Sequence, residues 1–189
     1  MRKLKPSQNQ LKIIKKADLG LITLKSNLSD PVIHSSIKAL AGVSMPSLGA
    51  IKFGKKYTVG WMAPDELIIM SQQSLVRPAL STIKKRIGQT HHLCANVSDS
   101  RSCFQVLGAG WRDVLAKGTP ANVADDSFKI GTLIRSRIGS LAAAFWTADG
   151  DGVNILCFKS VESFMLDSYL ALVLFSKVAL QVKNIQINL

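Results

Sequence analysis

Acidic side chains are scarce in this chain: 12 Asp+Glu face 24 Lys+Arg, a formal net charge of +12. An excess of one sign speaks of partners and solubility, not of fold, and suits nucleic acid, anionic lipid or an acidic neighbouring protein. Aromatic residues are also few, at 6%. They are not interleaved with the basic residues, so the stacking surfaces used for single-stranded nucleic acid are missing and the reading is no nucleic acid. Cysteine is limited to Cys94, Cys103 and Cys157. An odd number spread over strand-like segments excludes a secreted disulfide framework and points to buried thiols in a reducing compartment. Long hydrophobic runs are absent as well. The longest, Tyr169 to Leu180, is broken by Ser176 and Lys177 and is too short to span a bilayer. The basic start (Arg2, Lys3, Lys5, Lys12, Lys15, Lys16) lacks the apolar run and cleavage site of a signal peptide. A cytoplasmic protein with no membrane contact is expected.

What is present is enough to build a core. Apolar residues make up 47% of 189 positions, and a chain of that size buries about 70% of the surface its unfolded form exposes. Residues 1–18 read as a flexible basic leader, and 19–189 as a single α+β domain, with two subdomains meeting near 90–100 as the variant. Leu21 to Lys25 reads as a strand. Ser29-Asp30-Pro31 supplies a side-chain cap and a proline at the first helical position, and Ile33, Ile37 and Leu40 recur at helical spacing until Gly42. Tyr57–Met62 and Leu67–Met70 flank the turn Ala63-Pro64-Asp65-Glu66 as a hairpin. Val76, Leu80, Ile83 and Ile87 share a helix face that Gly88 ends. Leu93–Val97 and Ser102–Leu107 read as strands, and Trp111–Lys117 as a short helix opened by Gly108 and Gly110. Thr132–Ile138, Leu141–Thr147 and Val153–Phe158 form a meander, the last turn being Asp149-Gly150-Asp151-Gly152. Ser160 is expected to cap a final helix that carries Val161, Phe164, Met165 and Leu172 toward the core. Helices interleaved with hairpins favour mostly antiparallel sheets over a parallel one.

The chemistry-bearing residues do not assemble into a catalytic or metal set. Gly108-Ala109-Gly110 lacks the third glycine of a dinucleotide loop, and Asp113 at that place repels pyrophosphate, so a plain turn is expected. His91, His92, Cys94 and Cys103 suit zinc by type, but lack paired short spacings and alternate between strand faces. Ser98, Asp99 and Ser100 near those histidines form no nucleophile elbow. Asp65 and Glu66 are read as a solvated pair at a turn, and Asp149 and Asp151 as a tight turn instead of a calcium loop. Catalytic, cofactor-binding and metal residues are accordingly expected to be none.

Three ordered segments carry a family likeness. Trp61-Met-Ala-Pro-Asp-Glu-Leu67, then Val97-Ser-Asp-Ser-Arg101, then Gly110-Trp-Arg-Asp-Val-Leu-Ala-Lys-Gly118 resemble the gamma subunit family of heterotetrameric sarcosine oxidase, from about Leu21 to the Ser160–Leu170 segment. The resemblance implies a fold similar to folate-binding aminomethyltransferases, used as a non-catalytic subunit. It implies alpha, beta and delta partner subunits that oxidatively demethylate sarcosine to glycine and pass the carbon to tetrahydrofolate. FAD, FMN, NAD, tetrahydrofolate and zinc would belong to those partners, and no cofactor to this chain. Asp99 stands where the family commonly has histidine, and Trp111 where it has the proline of a turn. The Ile185, Ile187, Leu189 alternation adds one expected strand, at the edge of the chain's own sheet or paired with a neighbour. The rival readings are a free-standing folate-binding protein, with Asp65, Asp99 and Asp113 as the carboxylates to test, and a basic nucleic-acid module.

Overall fold

Period-two burial divides each strand between two different cores. The computed structural model describes residues 10–176 and 179–183. In β2 (Leu19–Ser26), Ile22 and Leu24 face helices while Leu21 faces the other way. The same alternation runs through β5 (Glu66–Gln72), where Leu67 and Ile69 oppose Ile68 and Met70. With β3 (Ile51–Phe53), β4 (Thr58–Ala63) and β6 (His92–Asn96) these strands form an antiparallel sheet in the order β3-β4-β5-β2-β6. Helices α1 (Pro31–Ala41) and α2 (Val76–Ile87) cover one face through Ile33, Ile37, Val76, Ala79, Ile83 and Ile87. The capping expectation for α1 holds: Val32 N donates to Asp30 Oδ1 at 2.8 Å, and Gly42 takes a left-handed φ of 70° that a side chain resists.

A second sheet has the order β11-β1-β7-β10-β9-β8. Its strands are β1 (Gln10–Lys15), β7 (Arg101–Leu107), β8 (Leu133–Ile138), β9 (Leu141–Trp146), β10 (Gly152–Phe158) and β11 (Ala179–Lys183). All neighbours are antiparallel except β1 and β11. Helices α3 (Trp111–Gly118) and α4 (Glu162–Phe175) cover its outer face through Val114, Leu115, Met165, Tyr169 and Val173. Between the two sheets lie Leu21, Ile68, Met70, Cys103, Ala144, Trp146 and Leu156. The result is four layers, helix–sheet–sheet–helix, the α+β arrangement with mostly antiparallel strands that the sequence indicates. The chain changes sheets between Asn96 and Arg101, through a single 3-10 turn at Ser98–Ser100.

Three expectations are corrected. Residues 10–15, assigned to the flexible leader, form β1, with Leu11 and Ile13 fully buried between β7 and β11. Lys12 alternates with those apolar residues, and Lys15 ends their face of the strand where it pairs with Glu162, so the charge that suggested a leader belongs to a strand. Ser160 does not cap α4. It lies in a 3-10 turn at Lys159–Val161, and the residue before the helix, Val161, makes no side-chain cap. Phe164, expected in the core, is 66% exposed, whereas Met165 is buried as expected. The Ile185, Ile187, Leu189 alternation lies outside the described residues, just beyond β11.

Glu162 does at the start of α4 what Ser160 does not. Its carboxylate accepts hydrogen bonds from Lys15 of β1, Ser102 of β7 and Lys159, joining four elements at one point. Burial raises its pKa, but the bonds from Lys15, Lys159 and Ser102 outweigh that and hold it down at about 2, against an ordinary 4.5. A carboxyl depressed in the folded state stabilises fully above its unfolded pKa, and that contribution is lost as pH falls from 4.5 toward 2. Glu162→Gln is expected to lower stability by about 1–2 kcal/mol at pH 7, allowing for solvent screening. Urea unfolding of both forms at pH 7 and pH 3 checks this: the difference should shrink at the lower pH.

Candidate functional site

Near the β4–β5 hairpin, charged residues from both sheets line an opening. Trp61 Nε1 donates to Ala63 O at 2.6 Å across the irregularity between Trp61 and Ala63, which shapes the turn. Glu66 opens β5, Arg101 opens β7, and Phe158, which closes β10, is directly opposite Arg101 in the ladder. Arg135 reaches across from β8 and donates to Met62 O at 3.2 Å. Met62, Glu66, Arg101, Arg135, Leu156 and Phe158 thereby line a cleft of about 370 Å³ with alanines on its floor.

Arg101 is the unusual member. Its guanidinium carbon sits 3.8 Å from the centroid of the Phe158 ring, a stacked cation–π contact. Its Nε is buried and has no hydrogen-bond partner among the described residues. An unsatisfied buried donor costs about 1–3 kcal/mol, more when charged. Burial pulls the Arg101 pKa down; Glu66 opposes that and Arg135 adds to it. Glu66 is already engaged, accepting from Thr23 Oγ1 at 2.9 Å and lying 4.0 Å from Lys25 Nζ. The cleft thus holds two guanidiniums against one committed carboxylate. Arg101 also borders a neighbouring depression with Lys15, Lys16, Ser98, Ser102 and Lys159, so the positive surface continues beyond the cleft. The excess of positive side chains gives the cleft a potential that favours anions over cations.

The residues weighed from the sequence are placed apart. Cys94 lies under α2, Cys103 between the sheets and Cys157 under the outer helices, one in each core. Burial pushes the three thiols up to about 11, 12 and 11 respectively, away from the thiolate a metal requires. Among the described residues no three of His, Cys, Asp and Glu come together as a metal site. His91 is exposed and His92 bonds Thr90 O at 2.7 Å. Ser98 is at the other end of β6, about 20 Å along an extended chain by residue count. There it pins the crossover turn to the first sheet, its Oγ accepting from Leu21 N at 2.9 Å and donating to Asn96 Oδ1. Ser100 Oγ donates to Val97 O within the same turn.

Asp65, Asp99 and Asp113 are exposed on three different elements. Asp99 and Asp113 border separate depressions. Gly108 and Gly110 have φ of 113° and 85°, and Asp151 N donates to Asp149 Oδ1, which are the features of plain turns. Glu66 differs from its reading: its side chain is only 17% exposed, a wall of the cleft and not a solvated partner of Asp65. Arg101 enters the sequence reading only within a family segment, and Arg135 and Phe158 only as parts of predicted strands. The alternation of Arg135 and Arg137 with Ile134 and Ile138 was a local signal that a charged strand face existed.

The fold defines a four-layer domain of the kind seen in aminomethyltransferases: aminomethyltransferase T of the glycine cleavage system from Bartonella henselae superposes with a TM-score of 0.67 at 9% identity, over 93% of this chain and 48% of that one. A chain of heterotetrameric sarcosine oxidase from Corynebacterium sp. U-96, solved with pyrrole 2-carboxylate, superposes with a TM-score of 0.80 at 20% identity, over 89% of this chain and 86% of that one. The profile of the sarcosine oxidase, gamma subunit family matches residues 25–170, and the chain belongs to that family. The sarcosine oxidase subunit gamma of Corynebacterium sp. (strain U-96) is 26% identical over 126 residues, 65% of this chain. The match spans 60% of that relative's length.

Proposed function

We propose that this chain is a non-catalytic subunit of a cytoplasmic heterotetrameric sarcosine oxidase, held by alpha, beta and delta companions. The companions carry FAD, FMN, NAD, tetrahydrofolate and zinc and perform the oxidative demethylation of sarcosine to glycine. The family match over residues 25–170 carries this reading. It is supported by the separation, among the described residues, of the histidine, cysteine, serine and aspartate candidates weighed from the sequence. The surface supports it too. Helix α4 is apolar on nearly all sides, yet Phe164, Leu174 and Phe175 are 66%, 73% and 82% exposed. A helix apolar all round is ordinarily buried, and a contiguous uncovered apolar surface marks an interaction site. Among the described residues, no helix is long and apolar enough to cross a membrane.

Co-expression with the large subunits tests the reading. The tagged chain should co-purify with them in fixed stoichiometry, and the complex lacking this chain should lose assembly or solubility. Turnover of sarcosine by the chain alone, or failure of the wild-type chain to join the complex, would overturn it.

A further inference from the structure

We propose that the Arg101 cleft is a docking socket for a carboxylate side chain, Asp or Glu, of a partner subunit. The inference rests on the subunit reading above and adds which surface is held and by what chemistry. Charge decides the class of occupant. Arg101 and Arg135 line an opening whose only carboxylate among the described residues, Glu66, is occupied by Thr23 and Lys25. Lys15, Lys16 and Lys159 line the neighbouring depression and outnumber the carboxylates beside them, Asp99 and Glu162, by one charge. Asp99 beside them is exposed, and Glu162 is neutralised by Lys15 and Lys159.

Geometry decides that the carboxylate belongs to a protein. The cleft is open to solvent, and Phe158 in its lining is 46% exposed although stacked on Arg101. A small-molecule site encloses most of its ligand. A pre-stacked arginine beside an exposed aromatic ring is instead the composition of an interface hot spot, where a rigid guanidinium fork meets a carboxylate. Stacking on Phe158 holds the Arg101 guanidinium in place in the lining of the cleft, so less ordering is required when a carboxylate arrives. The surplus of +12 over the whole chain is consistent with an acidic counterpart.

The test uses the co-expressed complex. Arg101→Ala is expected to raise the dissociation constant of this chain from the large subunits at least tenfold, while exposed Lys85→Ala leaves it within twofold. In Arg101→Lys, a zero-length carbodiimide cross-link should join position 101 to an Asp or Glu of a large subunit, read by tandem mass spectrometry. That arm stands even if Arg101→Ala folds poorly. Association insensitive to Arg101→Ala would overturn the proposal and leave the subunit reading intact, whether or not the cleft then took a free anion such as acetate. A cross-link from position 101 to Glu66 alone would overturn it as well. If the wild-type chain does not associate at all, the subunit reading falls and the socket with it.

Discussion

A chain that begins at Ala17 will not form a stable domain, although the residues removed are among the most charged in the sequence. The deletion takes away β1, which lies between β7 and β11. Leu11 and Ile13 are 0% and 1% exposed, and burial of each contributes about 1.5–3 kcal/mol. The ladder to β7 is lost with them, and so is the bond from Lys15 to Glu162. Small domains are stable by only about 5–15 kcal/mol, so the combined loss consumes most of the margin. The newly bared edge of β7 would invite pairing between chains. Circular dichroism melting and gel filtration of the truncated and complete chains provide the check. A truncated chain with an unchanged melting temperature would mean that residues 1–16 are a solvated leader after all.

Phe145→Ala will be the most damaging single truncation in the outer core of the second sheet. Phe145 is fully buried in β9 and meets Phe128 edge-on, with ring centroids 5.8 Å apart. Phe128 in turn meets Trp111 of α3 at 6.0 Å, and Arg112 covers the Trp111 ring at 4.3 Å. The loop between α3 and β8 has few other large side chains to close a void, so a cavity would persist. Removing a buried phenyl ring costs about 3–5 kcal/mol. For a chain of this length that corresponds to a drop in melting temperature on the order of 10 °C. The control is Phe175→Ala, whose ring is 82% exposed and which should change stability of the isolated chain by less than about 0.5 kcal/mol. Equal losses at the two positions would show that the Trp111–Phe128–Phe145 stack does not organise this core.

Where a local pattern was strong, it was readable. The Asp30 cap, the Pro31 start and the Gly42 stop delimit α1 because capping is a contact between near neighbours. The Val76, Ile83 and Ile87 spacing delimits α2 for the same kind of reason. Patterns that share their residues with another role were misread. In β1, Lys12 and Lys15 among the basic residues near the start masked a strand in which Leu11 and Ile13 are buried. In α4, apolar residues on every side gave no preferred face, so the direction of Phe164 could not be chosen from spacing. The three-residue β3 offered too short a run to show any period.

The cleft was the least readable part, because every contact that makes it joins residues far apart in the chain. Thr23 meets Glu66, Met62 meets Arg135, and Arg101 stacks on Phe158. Each residue alone looks like an ordinary strand-end charge or aromatic. Glu66 in particular sits at a Pro-Asp turn, where a solvated carboxylate is the default, and only the second sheet brought against it makes it a wall.

What the amino-acid sequence determined by itself is most of the elements, their class, the burial of three free cysteines and the family likeness carried by three short segments. These follow from periodicity, capping and turn chemistry, which act over a few residues. The pairing of β1 into the second sheet, the distribution of Cys94, Cys103 and Cys157 among three separate cores, and the meeting of Arg101 with Arg135 and Glu66 were decided by tertiary structure. Sheet order and layer packing depend on which apolar faces cover one another across the chain, and no local spacing encodes that choice.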